Sequence, residues 1–481
     1  MSNIISSYLE TIKSTSLIYG LGALIVNICG LFIITFITNY YSPTEMGMIE
    51  LIFLVINLII AILTFGLDQT QSYYFFNKDK NTSEKILINN ITFIKFLCTL
   101  ITLLFFLIFY KNISNFFFGY NINLKLYLLI FIIAFLMNFA SHYLAIYRLR
   151  LNAFRYIFYN IFEALIRLVL IFIFISFLHR NIDFYFYAFL ISYLFIFLFI
   201  LIEFKNYFFT FNLNIELIKN LIKYSLPIIP LAFLWLIISM TDRLFINHFL
   251  GLYQLGLYAI AIKFALGINL IIDIFQKSFW PISMKLINQS RDVYNSFFNE
   301  ILKYYFTIAV ISIYFLNIIS EYFFFIFTGP NFNDGYKIFN IIILQVFLFG
   351  LFHITSMGMW RKDKNFYILV SIFVTLIFNI FLNYILIPLY GLNGAAIATV
   401  LSFLILNIIS FIFSFFIIKL NIEKNFILKF FPLGSIIIFF IYSGQFSYSN
   451  LILIFLNFTL VFLAFKKIIF KFYSDLYSKF I

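Results

Sequence analysis

Fourteen apolar stretches, each suited to a hydrocarbon layer about 30 Å thick, follow one another along the chain with only short connections between them. They fall near 16–38, 47–66, 86–110, 124–147, 156–178, 183–203, 222–248, 252–276, 301–320, 336–359, 366–388, 392–418, 426–443 and 449–466. A water-soluble core cannot bury that many long apolar runs. A bilayer can, and it requires each run to satisfy its own backbone hydrogen bonds as a helix. The chain is therefore read as an all-α integral membrane protein with about 14 transmembrane helices. Its composition agrees, with 64% hydrophobic and 11% charged residues and a mean hydropathy of +1.05. The abundance of Phe, Ile, Tyr, Asn and Lys follows the bias of an AT-rich genome, so the 74 Phe are given no binding role.

The start, "MSNIISSYLETIKSTS", lacks the basic segment, short apolar core and cleavage site of a secretory signal, so the first stretch is expected to remain as a span. Cys29 and Cys98 both lie inside apolar runs, which leaves no disulfide framework and no thiolate metal site. His142, His179, His248 and His353 are dispersed, without metal-binding spacing. No G-x-S-x-G, P-loop or C-x-x-C motif occurs. The chain is accordingly expected to be no enzyme and to carry no cofactor or metal.

The net charge of +13 could suggest a nucleic-acid partner, but the placement of the cations argues otherwise. Cytoplasmic connections of membrane proteins retain Lys and Arg. Sorted by connection, 24 of the 32 cations fall on one side and only Lys111, Lys125, Arg180 and Lys337 on the other, with the alternation kept across every span. The charge is a topology signal. It places both termini in the cytoplasm and leaves no reason to expect nucleic-acid binding.

Sliding the chain by 209 positions lays "FITNYYSPTEMGM" (36–48) on "FINHFLGLYQLGL" (245–257), matching Phe36 to Phe245, Ile37 to Ile246 and Gly47 to Gly256. At nearly the same offset "YRLRLNAF" (147–154) lies on "WRKDKNFY" (360–367), with Arg148 over Arg361 and Asn152 over Asn365. This indicates a duplicated six-helix unit. The expected divisions are 1–210 (spans 1–6), 211–420 (spans 7–12) and 421–481 (spans 13 and 14 with a cytoplasmic tail). Six spans per repeat give both halves the same orientation, so two lobes should be related by a pseudo-two-fold axis along the membrane normal, with a cavity between them.

Four cations, Lys95, Arg167, Arg243 and Lys263, lie within spans, where a bare charge costs roughly 2.5–3.5 kcal/mol even on the gentlest scale. Lys95 sits early in span 3 and can snorkel toward the cytoplasm. Glu163 and Arg167 are spaced i, i+4 and can pair on one helix face or line a cavity. Asp242 and Arg243 are neighbours and point about 100° apart on a helix, so at least one must find a partner outside its own turn. Lys263 falls near the middle of span 8 with no acid within four positions, and Asp273 lies ten residues on. At the repeat offset Asp242, Arg243 and Lys263 correspond to Ile33, Ile34 and Leu54. The charges are thus additions to one lobe, and an added positive cluster points to an anionic cargo, a phosphate or carboxylate.

The stretch "DRLFINHFLGLYQLGLYAIAIKFA" (242–265), "FWPI" (279–282) and "YGLNGAAIATVLSF" (390–403) resembles the polysaccharide exporters that flip O-antigen and capsule repeat units. They are members of the multidrug/oligosaccharidyl-lipid/polysaccharide exporter superfamily. The resemblance implies a V-shaped pair of six-helix lobes in a bacterial inner membrane, alternating its opening to carry an undecaprenyl-diphosphate-linked oligosaccharide outward. It implies a cationic cavity for the diphosphate and sugar, with Arg243 and Lys263 matched by motif and Arg167 by depth. Asp242 and Asp273 are the candidates for a coupling ion. A polymerase and glycosyltransferases are the implied partners, beside the lipid-linked oligosaccharide and membrane lipid. Two alternatives stay open: a multidrug or cation antiporter of the same superfamily, and a membrane polysaccharide polymerase.

Overall fold

The computed structural model describes residues 2–418 apart from 77–82, 179–180, 209–212, 270–271, 273–275, 277–290, 357–358 and 360–364. Spans 13 and 14 lie outside the described residues, as does Asp273. Every regular element among the described residues is a helix. Among the described residues, ten helices are long and apolar enough to cross a membrane. One of these, Phe366–Ile417, carries expected spans 11 and 12 together. It is broken at Gly391, whose φ of 60° and ψ of −137° lie outside helical space, three residues after Pro388. Expected span 8 begins as the shorter apolar helix Leu252–Gly267, so spans 1 to 12 each correspond to helix.

Local chemistry sets the ends of these helices. Helix α1 runs Ser2–Tyr40 and α2 Pro43–Thr64. Ser42 caps α2 in a reciprocal capping box: its hydroxyl accepts from Glu45 N–H at 3.3 Å while its own N–H donates to Glu45 Oε2 at 2.7 Å, with Pro43 at the first helical turn. The chain breaks at Phe65 (φ 47°) and Gly66 (φ 67°) and resumes as α3 (Leu67–Phe76). There follow α4 (Glu84–Ile108), α5 (Tyr110–Phe118), α6 (Leu124–Leu149), α7 (Ala153–Ile173), α8 (Ile182–Glu203), α9 (Lys205–Phe208), α10 (Ile215–Ser225), α11 (Ile228–Leu250) and α12 (Leu252–Gly267). The stretch expected as span 7 is thus two helices, parted just before Ile228, where Pro227 cannot donate a backbone hydrogen bond.

The described residues pack as two compact units, Met1–Ala259 with Phe327–Asn331, and Ile260–Ile326 with Phe332–Ile481. In the first, α2 packs on α4 and α6, α6 on α8, and α1 on α7, while α3 and α10 lean on α4. Its interior is aromatic: Tyr143, Tyr147 and Phe204 are buried with Ile88, Ile146, Ile196 and Ile200 in one cluster. A second cluster joins Leu67 of α3, Leu87, Ile91 and Ile94 of α4, and Leu217 and Leu221 of α10. Gly329 belongs here because its N–H donates to Thr38 Oγ1 at 3.1 Å.

In the second unit the helix Gly335–Thr355 packs along Asn365–Ile418. Buried polar side chains tie the two. Asn407 donates to the Leu348 carbonyl at 2.8 Å, and Ser414 donates to the Thr355 carbonyl at 2.5 Å. The small residues of "GLNGAAIATV" serve close packing: Ala395, Ala396 and Ala398 are fully buried, and a Cβ on Gly394 would lie 2.0 Å from the Leu386 carbonyl oxygen.

Candidate functional site

Arg243 sits seven residues before the end of α11, and Glu50 seven residues after the start of α2, each about 10 Å in from its helix end at 1.5 Å per residue. The two ends meet within the first unit. Arg243 Nε lies 2.9 Å from Glu50 Oε1, with side chains only 12% and 7% exposed. A second guanidinium nitrogen, Nη1, donates to the Ser239 carbonyl one turn back. Asp242 turns the other way, as helix geometry requires. Its Oδ2 accepts from the Tyr258 hydroxyl of α12 at 2.7 Å, and its Oδ1 accepts from the Arg243 N–H at 2.8 Å.

What brings these groups together is a close helix contact. A Cβ on Gly47 of α2 would fall 2.1 Å from the Leu252 carbonyl oxygen, and a Cβ on Gly256 of α12 would fall 1.8 Å from that of Pro43. Only glycine permits such an approach. On α2, Pro43, Gly47, Glu50 and Leu54 follow at spacings of four, three and four, which is one helix face. The positions 209 residues on are Leu252, Gly256, Ala259 and Lys263, with the same spacing on α12. Lys263 is half-buried there, on the helix face that carries Gly256.

Two other intramembrane cations are also paired. Arg167 lies 3.1 Å from Glu163 on its own helix and stacks over the Phe189 ring of α8, 4.7 Å from its centroid. Glu163 accepts in addition from Ser192 of α8 at 3.1 Å, so the pair clamps α7 to α8. Lys95, read from the sequence as free to snorkel, has an ion-pair partner. It is buried and donates to Asp68 at 2.8 Å, because the break at Phe65 and Gly66 redirects the chain and brings α3 against α4. A polar chain adjoins this pair: Gln71 Oε1 lies 2.8 Å from His142 Nδ1, and Thr92 Oγ1 lies 3.2 Å from His142 Nε2 and 2.9 Å from the Tyr143 hydroxyl.

Glu50 and Asp68 are the acids paired with these cations, and the reading of the cations passed over both. The signal was available, since an acid inside "MGMIELIFLVINLIIAI" carries the same cost as a base. With Glu50 in place, the charge of Arg243 is balanced within the protein. No group of three or more His, Cys, Asp or Glu side chains positioned to hold a metal ion occurs among the described residues.

Long apolar helices, with Arg243, Arg167 and Lys95 each set against an acid inside a span, define a multi-pass membrane protein. The chain belongs to the polysaccharide biosynthesis protein family, whose model matches residues 12–287. Its fold is shared with solved transporters of the multidrug/oligosaccharidyl-lipid/polysaccharide superfamily. The lipid II flippase MurJ in an inward closed conformation aligns with a TM-score of 0.68 at 19% identity, over 96% of this chain and 99% of that one. A multidrug resistance MATE family transporter in an inward-facing conformation aligns with a TM-score of 0.66 at 17% identity, over 82% of this chain and 94% of that one. A superfamily transporter from Pyrococcus furiosus, described as having a binding pocket of reversed polarity, aligns with a TM-score of 0.61 at 16% identity, over 85% and 95%. No protein with a curated description matches the sequence.

Proposed function

We propose that the protein is a flippase for a lipid-linked oligosaccharide, moving polyprenyl-diphosphate-bound O-antigen or capsule repeat units outward across the bacterial inner membrane by alternating access. The observation that carries this reading is membership of the polysaccharide biosynthesis family across more than half the chain. The extent of the fold supports it, since the lipid II flippase covers 96% of the chain where the multidrug transporter covers 82%. The work is translocation without covalent chemistry: the sugar and diphosphate cross in water while the polyprenyl chain stays in lipid.

Within this reading Arg243 is the guanidinium that meets the diphosphate, because its planar fork matches two phosphate oxygens at once. It does so only when Glu50 lets go. Lys263 is a further anion contact along the path. Arg167, occupied by Glu163 on its own helix, holds α7 to α8. Asp242, beside Arg243, is the carboxylate assigned to a coupling ion. The test is deletion of the gene in its host with complementation: lipid-linked repeat units should accumulate on the cytoplasmic face of the deletion strain and clear on complementation. Normal surface polysaccharide in the deletion strain would refute the assignment.

A further inference from the structure

The Glu50–Arg243 pair has no counterpart in the 209-residue match of the chain with itself. At the 209 offset Glu50 corresponds to Ala259 and Arg243 to Ile34, so both halves of the pair were placed on a scaffold that is apolar at the equivalent positions. The acid sits on the α2 face that carries Gly47, where α2 meets the start of α12. The base comes from α11, and its neighbour Asp242 is tied to Tyr258 and to the backbone. One guanidinium therefore has one carboxylate from another span, at 2.9 Å.

We propose that Glu50 is a built-in competitor for the cargo anion at Arg243, an inference that rests on the flippase reading. A carboxylate offers two oxygens and one negative charge. A diphosphate offers the same bidentate geometry with more charge and more acceptor oxygens, so it can displace Glu50 from the guanidinium. In the absence of cargo, parting α2 from α11 gives up the Glu50–Arg243 attraction with nothing in exchange, and the closed arrangement of these helix ends is favoured. When an anion arrives, Arg243 exchanges one partner for another and Glu50 meets the water that enters with the cargo. The cargo thus has differential affinity for the two states, which is the only way a ligand shifts such an equilibrium. Glu50 in this scheme is a positioning residue that sets a threshold: weak or singly charged anions fail to dislodge it.

The experiment uses the full-length protein in nanodiscs with farnesyl diphosphate as probe and farnesol as the uncharged control, binding being read by titration. Glu50→Gln should bind farnesyl diphosphate at least tenfold more tightly than wild type, with no change toward farnesol. Glu50→Asp, which keeps the charge and retracts it by one methylene, should fall between the two and serves if Glu50→Gln does not fold. The double variant Glu50→Gln/Arg243→Gln should lose the gain. Equal or weaker diphosphate binding by folded Glu50→Gln or Glu50→Asp overturns the proposal, as does a gain that survives in the double variant. Flipping of lipid-linked oligosaccharide by wild type without this tightening ends the inference and leaves the flippase reading intact. Tightening in a protein that flips nothing does the reverse.

Discussion

Gly47 and Gly256, 209 positions apart and equivalent in the internal repeat, pack against each other's helices with backbone touching backbone: a Cβ on either would lie within 2.1 Å of a carbonyl oxygen on the other. The contact joins the start of α2 to the start of α12, and it sets the separation at which Glu50 reaches Arg243.

Replacing either glycine with alanine should therefore cost stability. The added methyl meets main chain, which cannot rotate away, and overpacking of this kind costs roughly 1–3 kcal/mol. Thermal unfolding of Gly256→Ala in detergent should show a lowered midpoint. A control at Gly20, where nothing lies within 4 Å of a new Cβ, should show little change.

The Lys95–Asp68 pair should respond asymmetrically. The Lys95 side chain is 8% exposed and that of Asp68 33%, so the acid can find water when its partner is removed and the base cannot. Breaking a buried pair from one side costs about 3–5 kcal/mol, and Asp68→Asn should approach that figure while Lys95→Met falls well below it. Chemical denaturation of the two single variants measures the difference. Equal losses would mean that the two ends are equally buried.

Glu163 and Arg167 offer a test of structural against transport roles. Either single substitution leaves a buried ion and should lower the unfolding midpoint. The double variant Glu163→Leu/Arg167→Met replaces the pair with apolar groups of similar bulk, which is often neutral for stability. Export of polysaccharide by this double variant, measured at the cell surface, should stay within about twofold of wild type, because the pair is assigned to clamping α7 on α8.

Membrane orientation is checked by cysteine labelling. With Cys29 and Cys98 replaced, a single cysteine at Lys125 should react with an impermeant maleimide added to intact spheroplasts. A cysteine at Arg155 should react only after the membrane is opened. The end of α1, the start of α2, the end of α11, the start of α12 and the segment at Gly329 meet at one end of the first unit, and the charge alternation assigns all of them to the outer side. Arg150 with Glu84 and Arg155 with Glu203 pair ends assigned to the inner side.

Much of the fold was legible because hydrocarbon enforces it. Apolar length alone placed spans 1 to 12, and short-range chemistry moved some of their boundaries. The capping box at Ser42 started α2 four residues earlier than hydropathy indicated, and Pro227 split the expected seventh span. Gly47 and Gly256 were also legible as special positions through the 209-residue match, and both sit where a Cβ would meet backbone. Partner choice was not. Nothing in the spacing of Glu50 and Arg243 reveals that they meet, because 193 positions of chain separate them and tertiary packing alone decides the contact. The same holds for Lys95, whose partner depends on a break at Phe65 that a nonglycine residue at positive φ makes hard to anticipate.

The central claim is that the protein moves an anionic lipid-linked saccharide by way of Arg243. It is tested most directly in proteoliposomes carrying a fluorescently labelled polyprenyl-diphosphate oligosaccharide, by following the fraction that an impermeant quencher can reach. Wild type should make the inner-leaflet label accessible, and Glu50→Gln/Arg243→Gln, neutral at the pair and folded, should reduce the rate to that of empty vesicles. Label that stays protected with wild type, or that crosses equally fast with the double variant, would contradict the account.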